Sequence, residues 1–333
     1  MKRLRRMAAG EFVRRLKAAS EQIDKRFAFF PGAGCSVSSG IPDAATLVEC
    51  EWLPYLRDMC VPQSKDVEAL AKKDVDALAK EEFPQYDPMN PSAVYGAVIE
   101  RVFPFPADRQ REIERLCDGK FPGFGYAVLA KQVALEGGAF SVVLATNFDD
   151  LMADALYLFA DTRPLVIQHE SLAGYIRSTR TRPIIVKLHG DHRLSPQSTA
   201  QETAALKEEV ERQVRTISHD RGLIFIGYGG NDHGIKKMLE ALAPEALPWE
   251  VFWVGRKEPQ GAIRSWLDSR DAVWVENDDF DELMLLVKEV FEFPDPDPSR
   301  LTKLFQACRE KQDTLSRRVV MAVEATTDAN SSR

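Results

Sequence analysis

The chain has 333 residues, 44% of them hydrophobic and 29% charged, with a formal net charge of −7. This is globular composition with enough length for a full core in one large or two modest domains, and the acidic balance speaks against direct nucleic-acid binding. The five cysteines, Cys35, Cys50, Cys60, Cys117 and Cys308, form no C-x-x-C pair, which predicts reduced thiols in a cytoplasmic protein and no metal site.

The chain opens with "MKRLRRMAAGEFVRRLKAAS". Glu11, Arg14 and Arg15 interrupt the apolar stretch that a secretory leader needs, and no apolar run approaches the roughly 20 residues of a membrane span. Phe12, Leu16, Ala19 and Ile23 recur at helical spacing and predict a helix over 8–25, with Lys2 to Arg6 as its solvated start. "RFAFF" follows as a short buried strand. "SVVLATN" (141–147), "PIIVKLHG" (183–190), "GLIFIGYGG" (222–230), "EVFWVG" (250–255) and "DAVWVEN" (271–277) have the same character, and "RPLVIQ" (163–168) has it more weakly. Strands apolar on both faces belong to parallel sheets covered by helices.

Helical patterns lie between them: "DDLMADALYLFA", residues 198–217, "DHGIKKMLEALA" and "FDELMLLVKEVF". The alternation predicts an α/β fold with a doubly wound, mainly parallel sheet. Residues 44–135 break the rhythm and predict a helical insertion, with "FPQYDPMNPS" either a lid or a surface connection. The expected division is a catalytic domain over 1–293, then a linker, a helix over about 300–323 and a frayed tail over the rest of 294–333. Leu301, Leu304 and Cys308 share one face of that last helix.

Three features carry chemistry. After the first strand, Gly32-Ala33-Gly34 forms a turn whose bare backbone is expected to let N–H groups reach a pyrophosphate. The plain dinucleotide fingerprint is only partly met, because Val37 stands where a third glycine belongs. Asn147 lies at a strand end, where its amide can orient a water or ribose hydroxyls, and Asp149 can accept from a ribose or stabilise positive charge. His189 lies at another strand end and suits general-base work. Asn147 capping the next helix, Asp149 complementing its dipole, and His192 in place of His189 stand as alternatives.

"GAGCSVSSGIPD" (32–43) resembles the sirtuin motif G-A-G-x-S-x-x-S/A-G-I-P-D, and "TNFDDL", "KLHGD" and "IGYGGND" resemble later sirtuin segments in the same order. "GYGGND" is similar to bacterial sirtuin-like domains of anti-phage defence proteins, and "VWVENDDFDELMLLV" resembles the adenine-side loop and last helix of that fold. The resemblance implies catalytic Asn147, His189 and Asp149. It implies NAD contacts from Gly32, Ala33, Gly34, Ser36, Ser39, Ile41, Pro42 and Asp43, from Thr146, from Gly227, Tyr228, Gly229, Asn231 and Asp232, and from Asn277. The two C-x-x-C pairs of sirtuin deacylases are missing, so the implied form is zinc-less. The expected activity is hydrolysis of NAD to nicotinamide and ADP-ribose by a cytoplasmic, NAD-depleting defence effector. A deacylase, an ADP-ribosyltransferase and a non-catalytic sensor are the alternatives. Expected partners are a second copy of the chain or a separately encoded sensor, a HerA-type ATPase or a short Argonaute, with no membrane and no direct nucleic-acid contact.

Overall fold

The computed structural model describes residues 4–59, 75–168, 182–190, 208–243, 245–260, 262–297, 302 and 305–316. The chain divides into two compact units, Met1–Phe293 and Pro294–Arg333. Among the described residues the first is built on eight parallel strands: β1 (Arg5–Ala8), β2 (Phe27–Pro31), β3 (Val142–Ala145), β4 (Leu165–Ile167), β5 (Ile184–Lys187), β6 (Gly222–Ile226), β7 (Val251–Gly255) and β8 (Val273–Glu276). Their order across the sheet is β1-β8-β7-β6-β2-β3-β5-β4. The sequence predicted a mainly parallel sheet; among the described residues every pairing is parallel.

The strands are apolar because both faces are covered, and alternate residues feed two separate cores. Phe27, Phe29, Val143, Ile185 and Ile224 face one layer. It contains α1 (Ala9–Ser20), α6 (Phe124–Val133), α7 (Leu151–Phe159) and α11 (Phe280–Phe291). Ala28, Phe30, Leu144, Val186 and Phe225 face the other, with α8 (Glu208–Ser218), α9 (His233–Glu240) and α10 (Ala262–Ser269).

Between β2 and β3 the described residues contain no strand. They hold a helical run through α2 (Leu53–Met59), then α3 (Val75–Glu82), α4 (Tyr95–Val102) and α5 (Pro106–Cys117). These pack a third core around Trp52, Leu56, Val98, Ile99 and Ile113. The predicted insertion ran to residue 135, but α6 buries Tyr126, Leu129 and Val133 in a sheet-facing core, so the separate cluster ends before it.

The N-terminus differs from expectation. Arg5 and Arg6 do not start a helix but lie in edge strand β1, where only Met7 is buried. Arg6 pairs with Glu276 and lies over the Trp274 ring of β8 at 5.5 Å. The helix stops at Ser20, and Ile23, counted into its apolar face, is 73% exposed. In the second unit residues 302 and 305–316 are helical and Cys308 is exposed, while Leu301 and Leu304 lie outside the described residues. Among the described residues no helix is long and apolar enough to cross a membrane.

Candidate functional site

From β2 the chain moves outward to β3 and then to edge strand β4, comes back through β5, and places β6 on the other side of β2. Open α/β sheets bind ligands beyond the carboxyl ends of their strands at such a reversal. The registers Pro31↔Ile226 and Ala145↔Lys187 bring the ends of β2 and β6, and of β3 and β5, level in pairs. The segments that follow these strands are the four that the sequence singled out.

The two glycine turns explain each other. A Cβ on Gly32 would meet Tyr228 Cα at 2.5 Å, and one on Gly34 would meet Gly227 Cα at 2.9 Å. Gly227 itself has φ of +62°, a region that glycine tolerates at little cost. Gly32 N–H donates to the Ile226 carbonyl and Gly34 N–H to the Gly227 carbonyl, both at 2.9 Å. These glycines have a packing reason of their own: the missing side chains make room for the neighbouring turn, and the Gly32 and Gly34 N–H groups bond between the two turns. Ala33 opens the short helical turn that ends at Cys35, and the Cys35 thiol lies over the Ile226 carbonyl at 3.3 Å.

The rest of the first loop is anchored to helices. Ser39 Oγ accepts from Gly123 N–H at 2.9 Å, Ser38 donates to Asp281 at 3.0 Å, and Asp43 caps the following turn by accepting from Thr46 N–H at 2.8 Å. Ile41 packs against the sheet-facing core, and Pro42 is half-buried between it and Asp43.

Ser36 is the exception: it turns inward and joins three segments. Its Oγ donates to Asp149 at 2.8 Å, lies 3.0 Å from Tyr126 Oη and accepts from Asn147 Nδ2 at 3.0 Å. Asn147 Nδ2 also reaches the Gly32 carbonyl at 3.1 Å and Tyr126 Oη at 3.3 Å. Asn147 does not cap α7. That helix begins after Asp150, and Asp149 accepts from Leu151 N–H at 3.1 Å, so Asp149 serves both the helix start and the Ser36 cluster. Burial of its carboxyl pushes Asp149 above the usual carboxylate range, against the pull of the Ser36 and Leu151 hydrogen bonds. Burial likewise pushes the Tyr126 phenol well up, so it stays protonated. Thr146 bonds back to the Pro31 carbonyl.

Lys187, the last residue of β5, is almost fully buried. Its Nζ donates to Asp150 at 2.6 Å and to the Phe148 carbonyl at 2.9 Å, which pins the 147–150 loop to β5. A cavity beside it is lined by Pro31, Tyr126, Asn147, Asp149, Asp150 and Lys187.

His189 stands two residues past Lys187, as Asn147 stands two past Ala145. Its ring lies 6.5 Å from that of Phe148. It is 6% exposed. Its Nε2 pairs with Asp232, which also caps α9 by accepting from Ile235 N–H at 3.0 Å. Burial alone would raise the Asp232 carboxyl; the His189 hydrogen bond and charge, with the Ile235 and Gly234 amides, hold it below the usual range. His189 Nδ1 and Tyr228 Oη are buried with no hydrogen-bond partner among the described residues. The Tyr228 ring packs against Phe30, Phe225 and Trp253. His192 lies outside the described residues.

Two more of the expected residues have other company. Asn231 bonds to Asn90 at 3.0 Å and to Ser92 at 2.8 Å, which ties "FPQYDPMNPS" to the second glycine turn; Gly229 beside it is exposed. Asn277 follows β8, three strands from β2, and bonds locally to Gly255 and Asp279. Tyr126 and Lys187 were not anticipated as site residues. A lysine closing an apolar strand was a visible signal for the second; a tyrosine inside a predicted helical insertion gave none for the first. Among the described residues no three histidine, cysteine, aspartate or glutamate side chains come together as a metal site.

Residues 141–275 match the family described as the SIR2-like domain. The chain is also similar to solved structures. A mutant Sir2 homologue in complex with ADP-ribose aligns with a TM-score of 0.45 and 16% identity over 84% of this chain and 96% of that one. Sir2Tm bound to a propionylated peptide gives 0.43 and 14%, over 86% and 100%. No curated protein matches the chain. The segment that matches the SIR2-like domain runs from the start of β3 into β8, and it carries Asn147, Asp149, His189 and Asp232.

Proposed function

We propose that the protein hydrolyses NAD to nicotinamide and ADP-ribose. The observation that carries this is the placement of Asn147 and His189 at one level beyond paired strands, beside a buried histidine nitrogen left without a partner. Cleavage of the nicotinamide–ribose bond needs a fixed ribose and a group that takes a proton from water or a ribose hydroxyl. Asn147, held by Gly32, Ser36 and Tyr126, orients the ribose side. Asp149 offers its carboxylate to the developing positive charge. His189 takes the proton as water oxygen bonds to the ribose carbon and nicotinamide leaves with the bonding electron pair; one proton is released per turnover.

Gly32, Ala33, Gly34, Ser36, Ser39, Ile41, Pro42 and Asp43 form the wall on the β2 side in this scheme. Thr146, Gly227, Tyr228, Gly229, Asn231 and Asp232 form the wall on the β3 and β6 side, and Asn277 serves the adenosine end. The resemblance of the motifs to defence proteins supports an NAD-depleting role against phage, in the cytoplasm, controlled by self-association or by a separately encoded ATPase or Argonaute sensor.

Purified protein incubated with NAD, with and without an acylated peptide, tests the reaction by chromatography of the products. Nicotinamide and ADP-ribose in equal amounts without peptide are expected. Consumption only with peptide makes the protein a deacylase or transferase, and binding without consumption makes it a sensor.

A further inference from the structure

We infer that Asp232 is a positioning residue that fixes the orientation and tautomer of His189, leaving Nδ1 as the basic atom. This deepens the hydrolase proposal and rests on it for the chemistry, though not for the pairing. Neutral imidazole has one N–H and one acceptor nitrogen, and the partner of the first decides which nitrogen is free to accept. Here the Asp232 carboxylate takes the hydrogen on Nε2. Nδ1 is left as the acceptor, in a ring 6% exposed, with no partner among the described residues. A buried acceptor without a hydrogen bond carries a desolvation cost, and a proton donor arriving with a substrate removes it.

Asp232 is itself fixed. As the N-cap of α9 it accepts from Ile235 N–H at 3.0 Å, so it has a rigid helix end behind it. It stays ionised because the ring and the amides hold its carboxyl below the usual range despite burial. The described charged groups nearest along the chain do not compete for the ring, since Lys187 and Asp150 are paired with each other. Asp232 therefore acts on the reaction through His189.

Two substitutions separate this role from folding and from NAD contact. Asp232→Ser keeps a good N-cap but is too short to reach the ring; Asp232→Asn keeps both the cap and a neutral acceptor for Nε2–H. Nitrogen-15 spectra of histidine-labelled protein without NAD should show His189 as the Nε2–H tautomer in wild type and Asp232→Asn, and a mixture in Asp232→Ser. In NAD hydrolysis, Asp232→Ser should lose at least about tenfold in kcat with KM within about threefold, and Asp232→Asn should recover most of the loss. An unchanged His189 spectrum in Asp232→Ser overturns the inference, as does a rise in KM with kcat intact. A wild-type protein that leaves NAD untouched sinks the hydrolase proposal, while the spectra still decide the pairing.

Discussion

The two polar clusters at the strand ends are built on opposite terms. Around Ser36, Asn147, Tyr126 and Asp149, hydrogen bonds close on one another, and three chain segments are locked together. Around His189 and Asp232 the pairing is strong on one side and open on the other, with Nδ1 and the nearby Tyr228 hydroxyl unmatched among the described residues. A closed network gives geometry, because each member over-determines the next. An open one keeps a buried acceptor ready for a donor that a ligand brings. The two aspartates show the same contrast: desolvation lifts Asp149, and His189 with the α9 amides holds Asp232 down.

The largest expected effect comes from removing the centre of each cluster. His189→Ala and Asn147→Ala should each cut NAD turnover by at least about a hundredfold. Both should also lower the melting temperature: Asn147→Ala strips partners from Ser36, Tyr126 and the Gly32 carbonyl, and His189→Ala leaves the buried Asp232 carboxylate without its partner. Near-normal NAD consumption by a folded double variant would end the assignment of both.

Gly34→Ala comes next. Its Cβ would press on the Gly227 backbone, and overpacking of this kind costs about 1–3 kcal/mol. Urea unfolding should report that loss with or without NAD. A variant as stable as wild type that fails only in NAD binding would restore the view that the glycine serves the ligand.

Tyr126→Phe is milder. It removes one hydroxyl from the closed network and should cost about 1 kcal/mol, with turnover reduced less than in Asn147→Ala. Equal or greater loss of turnover would mean that the hydroxyl itself meets the substrate.

The smallest effect sharpens the contrast between the aspartates. Asp149, held above its ordinary value of 3.8, contributes stability that is full below that value and lost as pH rises through its raised one. Asp232, held below 3.8, contributes stability present above that value and lost as pH falls through its lowered one. Between about pH 3 and pH 7, Asp149→Asn should therefore gain on wild type as pH rises, and Asp232→Asn should lose. Urea midpoints at the two pH values check the signs, and shifts in the same direction for both variants would contradict the opposed environments.

Much of the architecture could be read from the chain because strands covered on both faces must be apolar throughout, as "FAFFP", "VVLA" and "GLIFI" are. Strand β1 escaped because an edge strand buries little: Arg5 and Arg6 are exposed and Met7 alone is hidden, so "RRMA" has no strand signature. The motif histidine, asparagine and aspartate were visible in sequence. Their partners were not, since Tyr126 meets Asn147 only when α6 folds onto the sheet, and Asp232 meets His189 across strands that are not neighbours. The packing role of the glycines was not legible because a sequence does not show that a second glycine turn lies against the first.

The docking of β1 has a consequence for how the protein is made. Arg5 pairs with Val273 and Ala8 with Glu276, so β1 finds its place only after β8, more than 260 residues later in the chain, has been synthesised. Such long-range closure is slow because the chain loses loop entropy before the contact forms. Until then the edge of β8 is open and the Arg6–Glu276 pair is unmade. Pulse-labelled hydrogen exchange during refolding should find the amides of β1 protected after those of β2 and β6. If β1 is protected first, the sheet closes by another route.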